Sequence, residues 1–160
     1  LKGGERNIAE RFAEVTVLFA DIVDFTSLAN QTDPDDLVTL LNELFSRFDR
    51  LAERHGLEKI KTIGDSYLVV GGLPLPRPDH AEAVAEMALG MLESVHDLNS
   101  DSGISLRVRI GLNTGPVVAG VIGRKKFTYD LWGTAVNLAS RMQSSGIPIR
   151  STSPKARAVS

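Results

Sequence analysis

The sequence contains no cysteine, no long apolar run and no excess of charge of either sign. Because cysteine is absent, disulfide frameworks, thiolate nucleophiles and cysteine-based zinc sites are excluded, and a reducing compartment is indicated. No segment approaches the roughly 20 apolar residues that cross a bilayer. With 18 basic and 20 acidic side chains and a net charge of −2, the chain lacks the basic excess that binds nucleic acid. These features favour a cytoplasmic protein with no nucleic-acid partner.

The composition is that of one globular domain. The chain has 160 residues, 42% of them apolar, which is enough to bury a sizeable core. It begins at Leu1 rather than Met, which indicates a fragment of a longer protein with room for a regulatory or membrane domain upstream. We expect a lead-in linker at 1–14, a folded domain at 15–143 and an irregular tail at 144–160, where no apolar periodicity is found.

Apolar periodicity predicts alternating strands and helices. The apolar run 15–22 reads as a buried strand, and a short helix is expected from about Thr26. The segment "TDPDD" signals a helix start, and helical spacing of leucine and phenylalanine extends that helix to about His55. Further predicted elements are a hairpin within 57–74, a second long helix after "LPLPRPDH", a strand at 104–115, two extended segments around "RKK" and a helix at 134–143. This order predicts an α+β fold, an antiparallel or mixed sheet with helices on one face.

Two acids stand out at strand ends. Asp21 ends the first strand, and Asp65 lies in the tight turn of the predicted hairpin, next to Gly64. If the two strands are neighbours, both carboxylates reach the same sheet edge, where they repel each other unless a divalent cation lies between them. Mg²⁺ accepts one or two carboxylates and takes its other ligands from water and phosphate. Alternatively, Asp21 caps a helix and Asp65 serves only the turn.

The segment from Val23 to Thr26 follows Asp21 and leads into the short helix. Backbone N–H groups at a helix start carry partial positive charge and suit a polyphosphate. Phe25 and Thr26 belong to this segment, and so does Asp24, whose negative charge suits a phosphate poorly. Asp24 therefore points to solvent, caps the helix or serves as a third metal ligand.

Four segments together resemble the catalytic domain of class III nucleotidyl cyclases: "VTVLFADIVDFTSLA", "EKIKTIGDSYLVVGGLP", "VRIGLNTGPVVAGVIG" and "YDLWGTAVNLASRM". They cover most of residues 15–143 in the family order. The resemblance implies a ferredoxin-like core, close to the polymerase palm. It also implies a head-to-tail homodimer whose active sites are composed of residues from both chains.

The resemblance also implies a role for each matching residue. Asp21 and Asp65 match the two metal-binding aspartates, with the backbone carbonyl of Ile22 as a further candidate ligand, for two Mg²⁺ or Mn²⁺ ions per active site. Residues Val23, Asp24, Phe25 and Thr26 are candidates for binding the substrate phosphates. Lys61 and Asp130 match the positions that read the purine, Asn137 matches the asparagine that orients the ribose, and Arg141 matches the arginine that steadies the transition-state phosphate.

The two base-reading positions predict ATP as the substrate. Lys61 can only donate a hydrogen bond and ionised Asp130 can only accept one. Adenine offers an acceptor at N1 and an amine donor at its six-position, whereas guanine reverses both. We therefore expect an adenylate cyclase, in which the ribose 3′-hydroxyl attacks the α-phosphate in line and pyrophosphate leaves with the help of two metal ions.

Two features depart from the family pattern. Thr134 stands where the family usually has an acid or an asparagine, and the tail lacks the strands and the phosphate-binding lysine that follow the last helix. Lys155 does not lie in that lysine's motif. The shortened tail keeps open a second hypothesis, a catalytically silent cyclase-like module that dimerises or binds nucleotide. A guanylate cyclase is the third hypothesis, although the glutamate and cysteine that guanylate cyclases of the family have at the base-reading positions do not occur here.

Overall fold

A computed structural model describes residues 8–122, 128–133, 136, 139 and 158–159 of the chain. The element order is β1(Ile8–Ile22), α1(Phe25–Gln31), α2(Pro34–His55), β2(Glu58–Ile63), β3(Ser66–Gly71), α3(His80–Ser102), β4(Val108–Ile122), β5(Thr128–Trp132) and β6(Ala158–Val159). Within these residues, no helix has both the length and the apolar character needed to cross a bilayer.

One sheet organises these elements. Its strand order is β2-β3-β1-β4-β5, with β6 pairing to β4, and the paired strands run antiparallel. The long central strands β1 and β4 pair from Ile8↔Val121 to Ile22↔Val108. Although β2 and β5 lie at opposite ends of this order, some of their Cα atoms come within 8 Å of each other. The sheet is therefore strongly curled, as twisted antiparallel sheets tend to be.

The two long helices pack on one face of the sheet. Helix α2 begins as the sequence predicts, with Pro34 in its first turn and two acids beside it, and ends at Gly56 in the left-handed conformation. Its apolar stripe buries Leu44 and Phe48 almost completely against α3 and the alternate residues of β1 and β3. This arrangement confirms the predicted α+β class, with helices packed on an antiparallel sheet.

The opposite face of the sheet has its own apolar cluster. Because side chains alternate along a strand, Val15 and Val17 of β1 point away from α2 and α3 into this second cluster. Its buried members are Phe12, Val15, Val17, Ile60, Leu68, Val70, Leu73, Val117, Ala119, Leu131 and Ala139. Ala139 belongs to the helix predicted at 134–143, most of which lies outside the described residues.

Three expectations about element boundaries need correction. The first strand starts at Ile8, so residues 8–14 are not a linker; they pair with β4 through a register shift between Phe12 and Val15. The segments 104–115 and "VVAGVIG" are not separate strands, because β4 runs without a break through Pro116. In the tail, predicted to be irregular, residues 158–159 form a short strand against β4.

Candidate active site

The two acids of the sequence prediction come together at one end of the sheet. Strand β3 pairs with β1 up to Ala20↔Tyr67, so the turn before β3 carries Asp65 to the end of β1. There the backbone N–H of Ile22 donates a 3.2 Å hydrogen bond to Oδ2 of Asp65. Asp21 is the preceding residue of β1, and the structure thus places both carboxylates at the same sheet edge.

A cavity of about 640 Å³ opens at this edge. It contains both acids and the start of α1. The lining residues are Asp21, Ile22, Asp24, Phe25, Thr26, Ser27, Asn30, Asp65 and Arg109. The cavity therefore combines candidate metal ligands, polar side chains and a half-buried cation in a space large enough for a charged small molecule.

Arg109 is a site residue that the sequence analysis missed. It lies on β4 directly opposite Asp21 in the antiparallel register, and its Nε is 3.6 Å from Oδ1 of Asp21. Both side chains are largely buried, at 29% and 18% exposure, so this ion pair is only weakly screened by water. Alternation in "SLRVRIG" could have marked Arg109 as a polar-face residue, but only the strand register shows which acid it meets.

The donor set fits a divalent cation of the magnesium or manganese type. Carboxylates of Asp21 and Asp65 and the backbone carbonyl of Ile22 are hard oxygen donors, which such ions prefer. Among the described residues there is no group of three or more His, Asp or Glu side chains that could enclose a metal ion. Two carboxylates suit an ion that takes its remaining ligands from water and a bound phosphate.

The segment between β1 and α1 is held against the start of β4. The N–H of Val23 donates a 2.9 Å hydrogen bond to the carbonyl of Arg107. Asp24 adopts the left-handed conformation, with φ of 55°, which is uncommon for residues other than glycine and costs of order 1 kcal/mol. Within the described structure its side chain makes no capping hydrogen bond to α1; its Oδ2 lies 3.9 Å from Nη2 of Arg107.

A buried tyrosine fixes the hairpin that carries Asp65. The hydroxyl of Tyr67 donates a 2.7 Å hydrogen bond to Oδ1 of Asp49 on α2, and Nζ of Lys59 lies 3.1 Å from the same carboxylate oxygen. Burial, reinforced by the negative charge and hydrogen bond of Asp49, raises the pKa of Tyr67 well above its usual value. Tyr67 is therefore a neutral anchor between the hairpin and α2.

The candidate base-reading positions lie on the two strands that the curled sheet brings together. Lys61 lies on β2 opposite Leu68, a member of the second cluster, so it belongs to the face away from α2 and α3. Asp130 lies on β5 opposite Gly120. Asn137, Arg141 and Thr134 lie outside the described residues.

The chain is similar to known nucleotide cyclases. Residues 8–152 match the family described as "Adenylate and Guanylate cyclase catalytic domain". An "Adenylate cyclase" of Mycobacterium tuberculosis is 56% identical over 145 residues, which are 90% of this chain and 33% of that protein. The rat "Guanylate cyclase soluble subunit beta-2" is 46% identical over 149 residues, 92% of this chain and 22% of that protein. The chain thus spans a third or less of these relatives.

A solved structure supports the same similarity. The catalytic core of a rhodopsin-guanylyl cyclase with converted specificity, in complex with ATPαS, is 43% identical to the chain. It superposes with a TM-score of 0.82 over 88% of this chain and 76% of the other.

Proposed function

The chain belongs to the adenylate and guanylate cyclase catalytic domain family, and from this membership we propose that it converts ATP into 3′,5′-cyclic AMP and pyrophosphate. The observation that carries the proposal is the meeting of Asp21 and Asp65 in one cavity beside the half-buried cation Arg109. Such an arrangement suits an anionic substrate that arrives with divalent cations.

Side-chain and backbone groups of the chain have three tasks at this end of the sheet. Asp21, Asp65 and the carbonyl of Ile22 would hold two Mg²⁺ or Mn²⁺ ions. When bound, these ions supply positive charge that makes the ribose 3′-hydroxyl a better nucleophile and stabilises the departing pyrophosphate. Arg109 offers a fixed guanidinium to a phosphate oxygen. Asp24, Phe25 and Thr26 line the same cavity at the start of α1, where helix N–H groups suit a phosphate, whereas Val23 does not line it and donates its N–H to the carbonyl of Arg107.

The choice of base depends on Lys61 and Asp130. Lys61 donates to N1 of adenine and Asp130 accepts from its six-amino group, whereas guanine would face a mismatched contact at both positions. The approach of β2, which carries Lys61, to β5, which carries Asp130, supports a joint role for the two residues. The 56% identity to an "Adenylate cyclase" of M. tuberculosis also supports ATP rather than GTP as the substrate of this chain.

The active site is completed by a second copy of the chain. We propose a head-to-tail homodimer in which one chain supplies the acids while the other supplies the base-reading pair, Asn137 and Arg141. Asn137 orients the ribose, and Arg141 meets negative charge that develops on the α-phosphate during attack. Residues 137 and 141 are four apart in a predicted helix and so share one face.

The direct test is incubation with ATP or GTP in Mg²⁺ or Mn²⁺, with products separated by chromatography. We expect cyclic AMP and pyrophosphate in equal amounts, and little cyclic GMP. Cyclic GMP as the main product would show a guanylate cyclase, in line with the similarity to the rat guanylate cyclase subunit. Nucleotide binding without any cyclic product would show a silent regulatory module.

A further inference from the structure

A second arginine lies beside Asp24, one of the residues that line the cavity. Arg107 immediately precedes β4, and its backbone carbonyl is fixed by the 2.9 Å hydrogen bond from Val23. Its guanidinium Nη2 is 3.9 Å from Oδ2 of Asp24, which lines the cavity.

The strand register places Arg107 and Arg109 on the same side of the chain. Alternate residues of an extended segment share a face and lie about 7 Å apart. Because Asp21 pairs with Arg109 and Ile22 with Val108, the contact between Val23 and Arg107 continues the same ladder by one step. The two arginines thus follow each other along the chain, Arg109 in the cavity lining beside Asp21 and Arg107 beside Asp24, which also lines the cavity.

The two ion pairs differ in how easily another anion could replace the carboxylate partner of the arginine. Arg109 and Asp21 are largely buried, whereas the side chains of Arg107 and Asp24 are 60% and 75% exposed. An exposed pair at 3.9 Å contributes little to stability, because water screens it and the long side chain loses rotamer freedom. Phosphate is a stronger partner for a guanidinium, since it accepts two parallel charge-assisted hydrogen bonds.

We propose that Arg107 binds the terminal phosphates of the nucleotide, and that Asp24 holds its guanidinium at the cavity mouth until a phosphate replaces the carboxylate. The proposal rests on the proposed function, because it takes a nucleoside triphosphate as the ligand. The left-handed backbone of Asp24 is part of the arrangement: it sets a carboxylate at the cavity wall where glycine would be the less strained residue.

The test compares equilibrium binding of 3′-deoxy-ATP and 3′-deoxy-AMP in Mg²⁺ by calorimetry. Both ligands lack the attacking hydroxyl, so binding is measured without turnover, and only the first has terminal phosphates. Arg107→Gln should weaken the binding of 3′-deoxy-ATP about tenfold, the size of one charge-assisted contact. It should change the affinity for 3′-deoxy-AMP by less than about twofold. Arg50→Gln removes an equal charge from the exposed side of α2 and should change neither.

A double-mutant cycle tests the part played by Asp24. Asp24→Asn keeps a residue that tolerates the left-handed conformation and removes the competing charge. It should tighten 3′-deoxy-ATP binding several-fold in the parent, and by clearly less in the Arg107→Gln background. Equal gains in both backgrounds would overturn the exchange between carboxylate and phosphate.

The outcomes separate this inference from the proposed function. If the parent binds 3′-deoxy-ATP and Arg107→Gln leaves the ratio of the two affinities unchanged, only the role of Arg107 is overturned. If the folded parent binds neither ligand, the proposed function fails and this inference fails with it. Circular dichroism and thermal unfolding of each variant verify that the chains compared are folded.

Discussion

Asp21 and Asp65 make different local contacts, although we propose that both bind metal. Asp65 accepts a hydrogen bond from the N–H of Ile22, and Asp21 faces Arg109. We expect Asp65→Ala and Asp21→Ala each to lower cyclic AMP formation more than about hundredfold, because either change removes a hard ligand from the cation site. Product formation in Mg²⁺ and in Mn²⁺ provides the measurement, with thermal unfolding as the control for folding. Metal-dependent turnover near the parent rate in either variant would contradict the assignment.

Base choice is the second prediction at the scale of single residues. The double substitution Lys61→Glu with Asp130→Cys should abolish most ATP turnover, because the pair no longer complements adenine, and should permit some GTP turnover. Each mismatched contact is expected to cost about 1–3 kcal/mol of discrimination. Rates with ATP and GTP, measured side by side, give the ratio that decides. If the variant keeps the parent's preference for ATP, these two residues do not read the base.

Single residues also show what sequence reasoning could and could not find. The meeting of Asp21 and Asp65 at one sheet edge was predictable, because both acids lie at the ends of apolar strands that could be neighbours; their role as metal ligands stays a prediction. Arg109 was not predictable, since a basic residue in an alternating strand has the same pattern whether it faces water or a buried acid. The pairing of β1 with β4 decides between these cases, and pairing is a long-range property.

At the scale of elements, the hairpin depends on its contact with α2. Tyr67→Phe removes the hydroxyl that donates to Asp49 and should lower the free energy of unfolding by about 1.5–3 kcal/mol, the range for a hydrogen bond to a charged group. Because the pKa of Tyr67 is raised in the folded state, the parent's advantage should be complete below about pH 10, the pKa in the unfolded chain, and shrink above it. Urea unfolding from pH 7 to 11 measures this difference. A difference that grows with pH would contradict the neutral anchor.

The boundaries of the elements were predictable where local chemistry sets them. Helix α2 has Pro34 in its first turn and Gly56 after its last, and its bounds match the sequence prediction. The predicted start of β1 and the predicted break in β4 were both wrong. The break was expected because Gly115-Pro116 is a dipeptide typical of turns. In the structure Pro116 lies opposite the irregularity between Phe12 and Val15, where a strand tolerates a residue without an N–H donor.

At the scale of the whole molecule, the curled sheet has two faces with different roles. One is covered by α2 and α3, and the other carries Lys61 and the second apolar cluster. The cavity with Asp21 and Asp65 opens at the end of the central strands. We expect this end of one chain to meet the base-reading face of another, so that neither chain works alone.

Mixing two inactive chains tests this central claim most directly. An Asp21→Ala chain and an Arg141→Ala chain should each be inactive as homodimers. Co-expressed in equal amounts with random pairing, about half of the dimers are hybrids with one intact site of two, so cyclic AMP formation should recover to roughly a quarter of the parent rate. Sedimentation and affinity tags on each chain verify that hybrids form. If hybrids form and activity stays at the level of the separate variants, the acids and Arg141 do not act in one shared site.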